Sequence, residues 1–80
     1  MNYYASYVQF TDGTHDLYAG LAKSGLDIQQ CAKEKFGKDV LFTHSTIIAP
    51  NVEEGPDSMY MEARIWYGIH EKMEVWLHDN

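Results

Sequence analysis

One stretch of the chain repeats its apolar residues at helical spacing, and most of the remainder alternates. Ile28, Cys31, Ala32, Lys35 and Phe36 fall at i, i+3, i+4, i+7 and i+8, one face of a helix. Lys35 is the imperfect member, and its aliphatic stem can lie along the rim of the stripe. Ser24 and Asp27 have the spacing of a capping box. Asp27 with Gln30 is the other frame, with Leu26 stapling onto Cys31. Both frames put Asp27 in the first turn, where the helix dipole favours negative charge. Lys33 and Lys35 lie toward the other end, and Gly37 suits the left-handed residue that ends many helices. The pattern predicts a helix of about 12 residues, roughly 18 Å long.

Before this helix, residues 3–11 (YYASYVQFT) are rich in aromatic and β-branched types, as strands are. Tyr4, Ser6, Val8 and Phe10 share one face, and Tyr3, Ala5, Tyr7 and Gln9 the other. Asp12-Gly13 is a strong hairpin signal. His15 to Leu21 reads as the returning strand, with Leu17, Ala19 and Leu21 expected on the same side as Val8 and Phe10. Gly20 marks a bulge or the strand end. After the helix, Asp39 to Ala49 (DVLFTHSTIIA) reads as a third strand. Val40, Phe42, His44, Thr46 and Ile48 share a face. Neither register is fully apolar, which suggests a central or twisted strand. Pro50 to Ser58 (PNVEEGPDS) is a loop holding both prolines and Glu53, Glu54 and Asp57.

In the last stretch, Met59, Met61, Ala63, Ile65 and Tyr67 alternate with Tyr60, Glu62, Arg64 and Trp66. Gly68 to Lys72 can make a turn, after which Met73, Val75 and Leu77 alternate with Glu74, Trp76 and His78. Period two predicts two further strands. The alternative is a helix from Ile69 to His78, since Ile69, Met73, Trp76 and Leu77 also fall at helical spacing. The expected architecture is α+β: β-β-α-β-β-β, two layers, a mostly antiparallel sheet with one helix on one face, in a single domain spanning residues 1–80.

One helix covers one sheet face, so the other is expected to be bare. On these registers it gathers Tyr3, Tyr7, Tyr18, Tyr60, Trp66 and Trp76, with Glu62, Arg64 and Glu74 between them. Tyr and Trp are enriched at protein interfaces. Three readings stay open: a surface for a protein partner, the seam of a homodimer, and cross-strand aromatic pairs that only stabilise the sheet.

Charge narrows the partner. Six basic against twelve acidic residues give −6. Nucleic-acid phosphates would be repelled, so no direct nucleic-acid contact is expected and a partner with a basic surface is favoured. Glu53, Glu54 and Asp57 form an acidic cluster on the proline loop, and Glu71, Glu74 and Asp79 another. With Asp12 and Asp16 they suit a basic groove. No apolar run has the length of a membrane span, and MNYYASYVQF lacks the basic and apolar regions of a signal peptide. The single cysteine fits a reducing compartment, so a cytoplasmic location is expected.

The chain offers little for catalysis. Its four histidines, His15, His44, His70 and His78, form no close ligand pair, so no metal is expected. Cys31, on the apolar helix face, reads as a small core residue. No phosphate-cradling loop or nucleophile elbow is present, so neither an enzyme nor a cofactor is expected.

In overall character, through the YYASYVQF strand, the one short helix and the acidic loop, the chain resembles small phage-encoded inhibitors of host defence such as anti-CRISPR proteins. The resemblance implies an inhibitor that occupies a partner's surface, acting in the host cytoplasm; it carries over no functional residue. The expectation is thus a small acidic protein-binding module, an inhibitor of a nucleic-acid-handling complex in its sharpest form. A homodimeric structural domain joined through the aromatic face is the alternative.

Overall fold

A computed structural model describes residues 1–37, 39–54 and 57–79, with the backbone alone for 74–79. The order is β1 (Asn2–Phe10), β2 (His15–Ala22), α1 (Gly25–Phe36), β3 (Val40–Ala49) and α2 (Asp57–Asp79). The strands form an antiparallel sheet in the order β2-β1-β3. The α+β class and the antiparallel sheet agree with the sequence pattern. The strand count and the number of layers do not. Residues 59–77 form no hairpin: they lie within one helix, longer than the Ile69–His78 alternative.

The first hairpin turns where Asp12-Gly13 places it. Phe10 N donates to Thr14 O, and Gly13 N to Phe10 O. Gly13 sits at φ +90°, open to glycine without strain. Asp12 Oδ1 accepts from Thr14 N and Thr14 Oγ1, tying the loop locally. The pairing corrects the expected face assignment. Tyr7 opposes Leu17 and Ala5 opposes Ala19. Leu17 and Ala19 therefore lie with Tyr7, opposite Val8 and Phe10. A five-residue step from Phe10 to His15 sets the parity, and parity alone decides the face.

α1 takes the frame in which Ser24 is the cap: Asp27 N donates to Ser24 Oγ at 3.2 Å. Asp27 Oδ2 reaches back to Lys23 N at 2.9 Å. Gly37 ends the helix in the left-handed region, its N–H donating to Lys33 O. Ile28 and Ala32 are buried, and Phe36 meets Phe10 edge-on at 5.2 Å. The same face covers Tyr4, Val8 and Ala22.

β1 is the central strand and β3 is an edge, so of the two readings of Asp39–Ala49 the central one does not hold. β1 is buried on both faces because α2 covers the face that α1 leaves. Tyr3 and Ala5 pack with Ala63 of α2, joined by Leu17, Ala19, Leu21, Met59 and Trp66. On the α1 side, the buried Ser6 Oγ meets Ser45 Oγ at 2.7 Å, satisfying a polar group in the core. A register shift between Gln9 and Phe10 moves Val40 to the α1 side, away from Phe42 and His44.

Candidate functional site

The residues expected on a bare sheet face are divided among three places. Tyr3 and Tyr7 are buried under α2, 5% and 2% exposed. Tyr18 opposes Ser6 and lies on the other face, against Phe36 and beside Cys31. Tyr60 is exposed on α2. Trp66 is half-buried on the inward side of α2, packed in the Tyr3–Ala5–Ala63 cluster. Trp76 belongs to α2, but its side chain lies outside the described residues, as do those of Glu74 and His78. The bare face does not exist, because a second helix occupies it.

Beneath α2 the structure assembles a cluster that spacing does not reveal. Tyr7 is stacked on His15 at 5.2 Å and on Phe42 at 6.1 Å, and it meets Tyr67 at 5.7 Å and the edge of His70 at 4.8 Å. His70 stacks on Trp66 at 5.0 Å and meets His44 at 4.5 Å. Residues from β1, β2, β3 and α2 thus converge, three histidines among them. His15 Nδ1 lies 2.6 Å from the Tyr67 hydroxyl and 3.6 Å from Glu71 Oε2. The tautomer of His15 sets which partner donates. Burial, then the negative Glu71 and Asp16, push the Tyr67 phenol far above its ordinary range, so it stays a neutral hydroxyl. Among the described residues no group of three or more His, Cys, Asp or Glu is placed to hold a metal ion. Chemically, the cluster is a packed aromatic seam locking α2 to the sheet, with the hydrogen-bonded His15–Tyr67 pair at its margin and Glu71 beside it.

The acidic loop is placed as a surface. β3 ends at Ala49, and Asn51 turns the chain in the left-handed region at φ 54°. Val52 N donates to Met1 O at 2.7 Å and Asn51 N to Asn2 Oδ1 at 3.1 Å, pinning this segment beside the start of β1. Glu53 and Glu54 are exposed, and Asp57 is exposed in the first turn of α2. Tyr3 lies near that turn: burial first, then Tyr60 and Asp57, raise its phenol above the ordinary value.

The remaining feature is hidden by the strand-like alternation of the sequence. α2 carries a second apolar row on its outward side. Met61, Ile65, Ile69 and Met73 follow one another at four-residue spacing, each 55–63% exposed. Their i, i+4, i+8, i+12 order becomes legible once residues 59–73 are read as a helix. No helix among the described residues is long and apolar enough to cross a membrane. No known family model, curated protein or solved structure shows significant similarity to the chain.

Proposed function

We propose that the chain is a non-enzymatic protein-binding module that offers the outward side of α2 to a partner. The observation that carries this reading is the unbroken row Met61, Ile65, Ile69 and Met73. Single exposed apolar residues are ordinary, but a continuous apolar patch marks an interaction site. Two flexible methionines add a surface that adapts to what covers it. The test compares wild-type and Ile65→Glu chains as baits, with circular dichroism confirming that both are folded. A protein, or a second copy, held by the first and lost by the second is the expected result. Identical captured sets overturn the reading.

A second reading has its own support. Glu53, Glu54 and Asp57 are all exposed around the start of α2 on a chain of net charge −6. This favours an inhibitor that presents carboxylates to a basic, nucleic-acid-handling surface. Binding to such a partner should weaken as salt rises, and reversal of Glu53 and Glu54 together should slow association more than it speeds dissociation. Affinity indifferent to salt removes this reading and leaves the apolar row untouched.

A further inference from the structure

From the outward row of α2 we infer that its occupant is a second copy of this chain, packed as an antiparallel pair of α2 helices about a two-fold axis that crosses the outward side of α2 at the level of Tyr67. The inference rests on the binding surface proposed above and names its partner. A two-fold interface must be self-complementary: where residue i meets residue j, j meets i. Turning α2 end over end about Tyr67 places Met61 opposite Met73 and Ile65 opposite Ile69. The same operation places Glu62 opposite Lys72, both exposed beside the row. Each apolar side chain of the row meets an apolar one, and Glu62 meets Lys72, twice over.

Two further observations favour this occupant. The chain as a whole is strongly acidic, which opposes association of like copies. Across residues 60–73, however, Glu62 and Glu71 are balanced by Arg64 and Lys72, so the proposed seam is locally neutral. A strongly basic protein has nothing to gain there, and an anionic lipid surface would meet the repulsion of the remaining chain. The helix surface beside the row is also open. The row beside Met61–Met73 is Arg64, Gly68 and Lys72, and its middle member has no side chain. Nothing lies within 4 Å of where a Gly68 Cβ would stand, so no contact within the chain requires glycine there. A glycine in the middle of a helix lowers its stability. Close approach of a neighbouring helix beside the row accounts for its presence.

The register can be read directly. In a Cys31→Ala background, Met61→Cys and Met73→Cys chains carrying different tags are mixed under mild oxidation. The mixed disulfide should form, and Met61→Cys alone should not link to itself. In the antiparallel pair the two Met61 positions are separated by about 18 Å of helix, beyond the reach of a disulfide. Analytical ultracentrifugation of the unmodified chain should show dimers. Ile65→Glu should abolish them while circular dichroism remains that of a folded chain. Glu62→Lys alone should weaken association about tenfold, and Glu62→Lys with Lys72→Glu should restore most of it. A chain that is monomeric at several hundred micromolar overturns the inference, as does a dimer indifferent to Ile65→Glu or one whose Met61→Cys copies link to each other. If the monomer still captures another protein in an Ile65-dependent way, the surface stands and only its occupant was wrong. If it is monomeric and captures nothing, both readings fall.

Discussion

The two helices cover the same sheet from opposite sides, yet they differ in what they leave outside. α1 has one apolar stripe, with Ile28 and Ala32 buried, and its outward positions are mostly polar. α2 has two. Met59, Ala63, Trp66, Tyr67 and His70 face the sheet, and Met61, Ile65, Ile69 and Met73 face away. A helix with one stripe is satisfied by the fold that contains it. One with two stripes has a second face with no partner among the described residues, and at about 34 Å it runs most of the molecule's 39 Å length. The difference separates a structural cover from an element that both covers and presents.

The largest effects should come from the two inward faces, and they should be similar. Tyr7→Ala removes the ring on which His15, Phe42, Tyr67 and His70 are arranged, and should cost about 3–5 kcal/mol. Ile28→Ala, at a fully buried position under α1, should cost about 2–5 kcal/mol. Denaturant titration measures both. Trp66→Ala, on the inward side of α2, should also destabilise, whereas a bare sheet face would have left folding intact. A small loss at Tyr7 with a large one at Ile28 would mean that α2 is held far more loosely than α1.

An intermediate effect is confined to alkaline solution and is largest in the α2 seam. The Tyr67 phenol is raised by burial and by Glu71, so the folded chain keeps a proton that the unfolded chain releases near the ordinary tyrosine value. Stability from this source is fully present below about pH 10 and falls as pH rises above it. Tyr3 and Tyr18 are raised in the same direction, chiefly by burial. Tyr67→Phe should therefore flatten much, but not all, of the alkaline loss in a series of thermal melts. An unchanged slope would show that Tyr67 ionises freely and that the seam is wetter than its ring contacts indicate.

α1 and α2 also differ in how legible they are in the amino-acid sequence. α1 can be read almost to the residue, because local chemistry and tertiary burial agree there. Its stripe, its Ser24 cap and its Gly37 terminus all mark the same element. Ser24→Ala should lose about 1 kcal/mol through the cap alone. α2 reads as strand for a physical reason. Interleaving an inward row at 59, 63 and 67 with an outward row at 61, 65 and 69 yields an apolar residue at every second position. Two helical faces together imitate the period of a strand. The outward row thus accounts for the missing hairpin and is itself the proposed binding surface. The start signal in Asp57-Ser58 is present but is outweighed by that alternation. The histidine–aromatic cluster has no linear signature, since β1, β2, β3 and α2 meet there only through the register of the sheet. Of the expected site residues, the loop carboxylates Glu53, Glu54 and Asp57 are at the surface, as is Tyr60. Loop and helix-start positions need no strand parity to be exposed.

The smallest effect is the sharpest, because its sign depends on whether α2 has a neighbour. Gly68→Ala adds one methyl at a half-buried position in the middle of α2, where no other element among the described residues lies within 4 Å of it. Helix propensity alone then predicts a gain of about 0.5–1 kcal/mol. At low protein concentration, where a pair of copies has dissociated, the variant should melt above the wild type. At high concentration the wild type gains from association, and its melting temperature should rise with concentration as mass action requires. The variant, with a methyl where the facing helix comes close, should rise less, so the two curves should approach and cross. A gain that is constant across concentrations would mean that Gly68 meets nothing in solution. The outward row of α2 would then have to bind a partner other than its own copy.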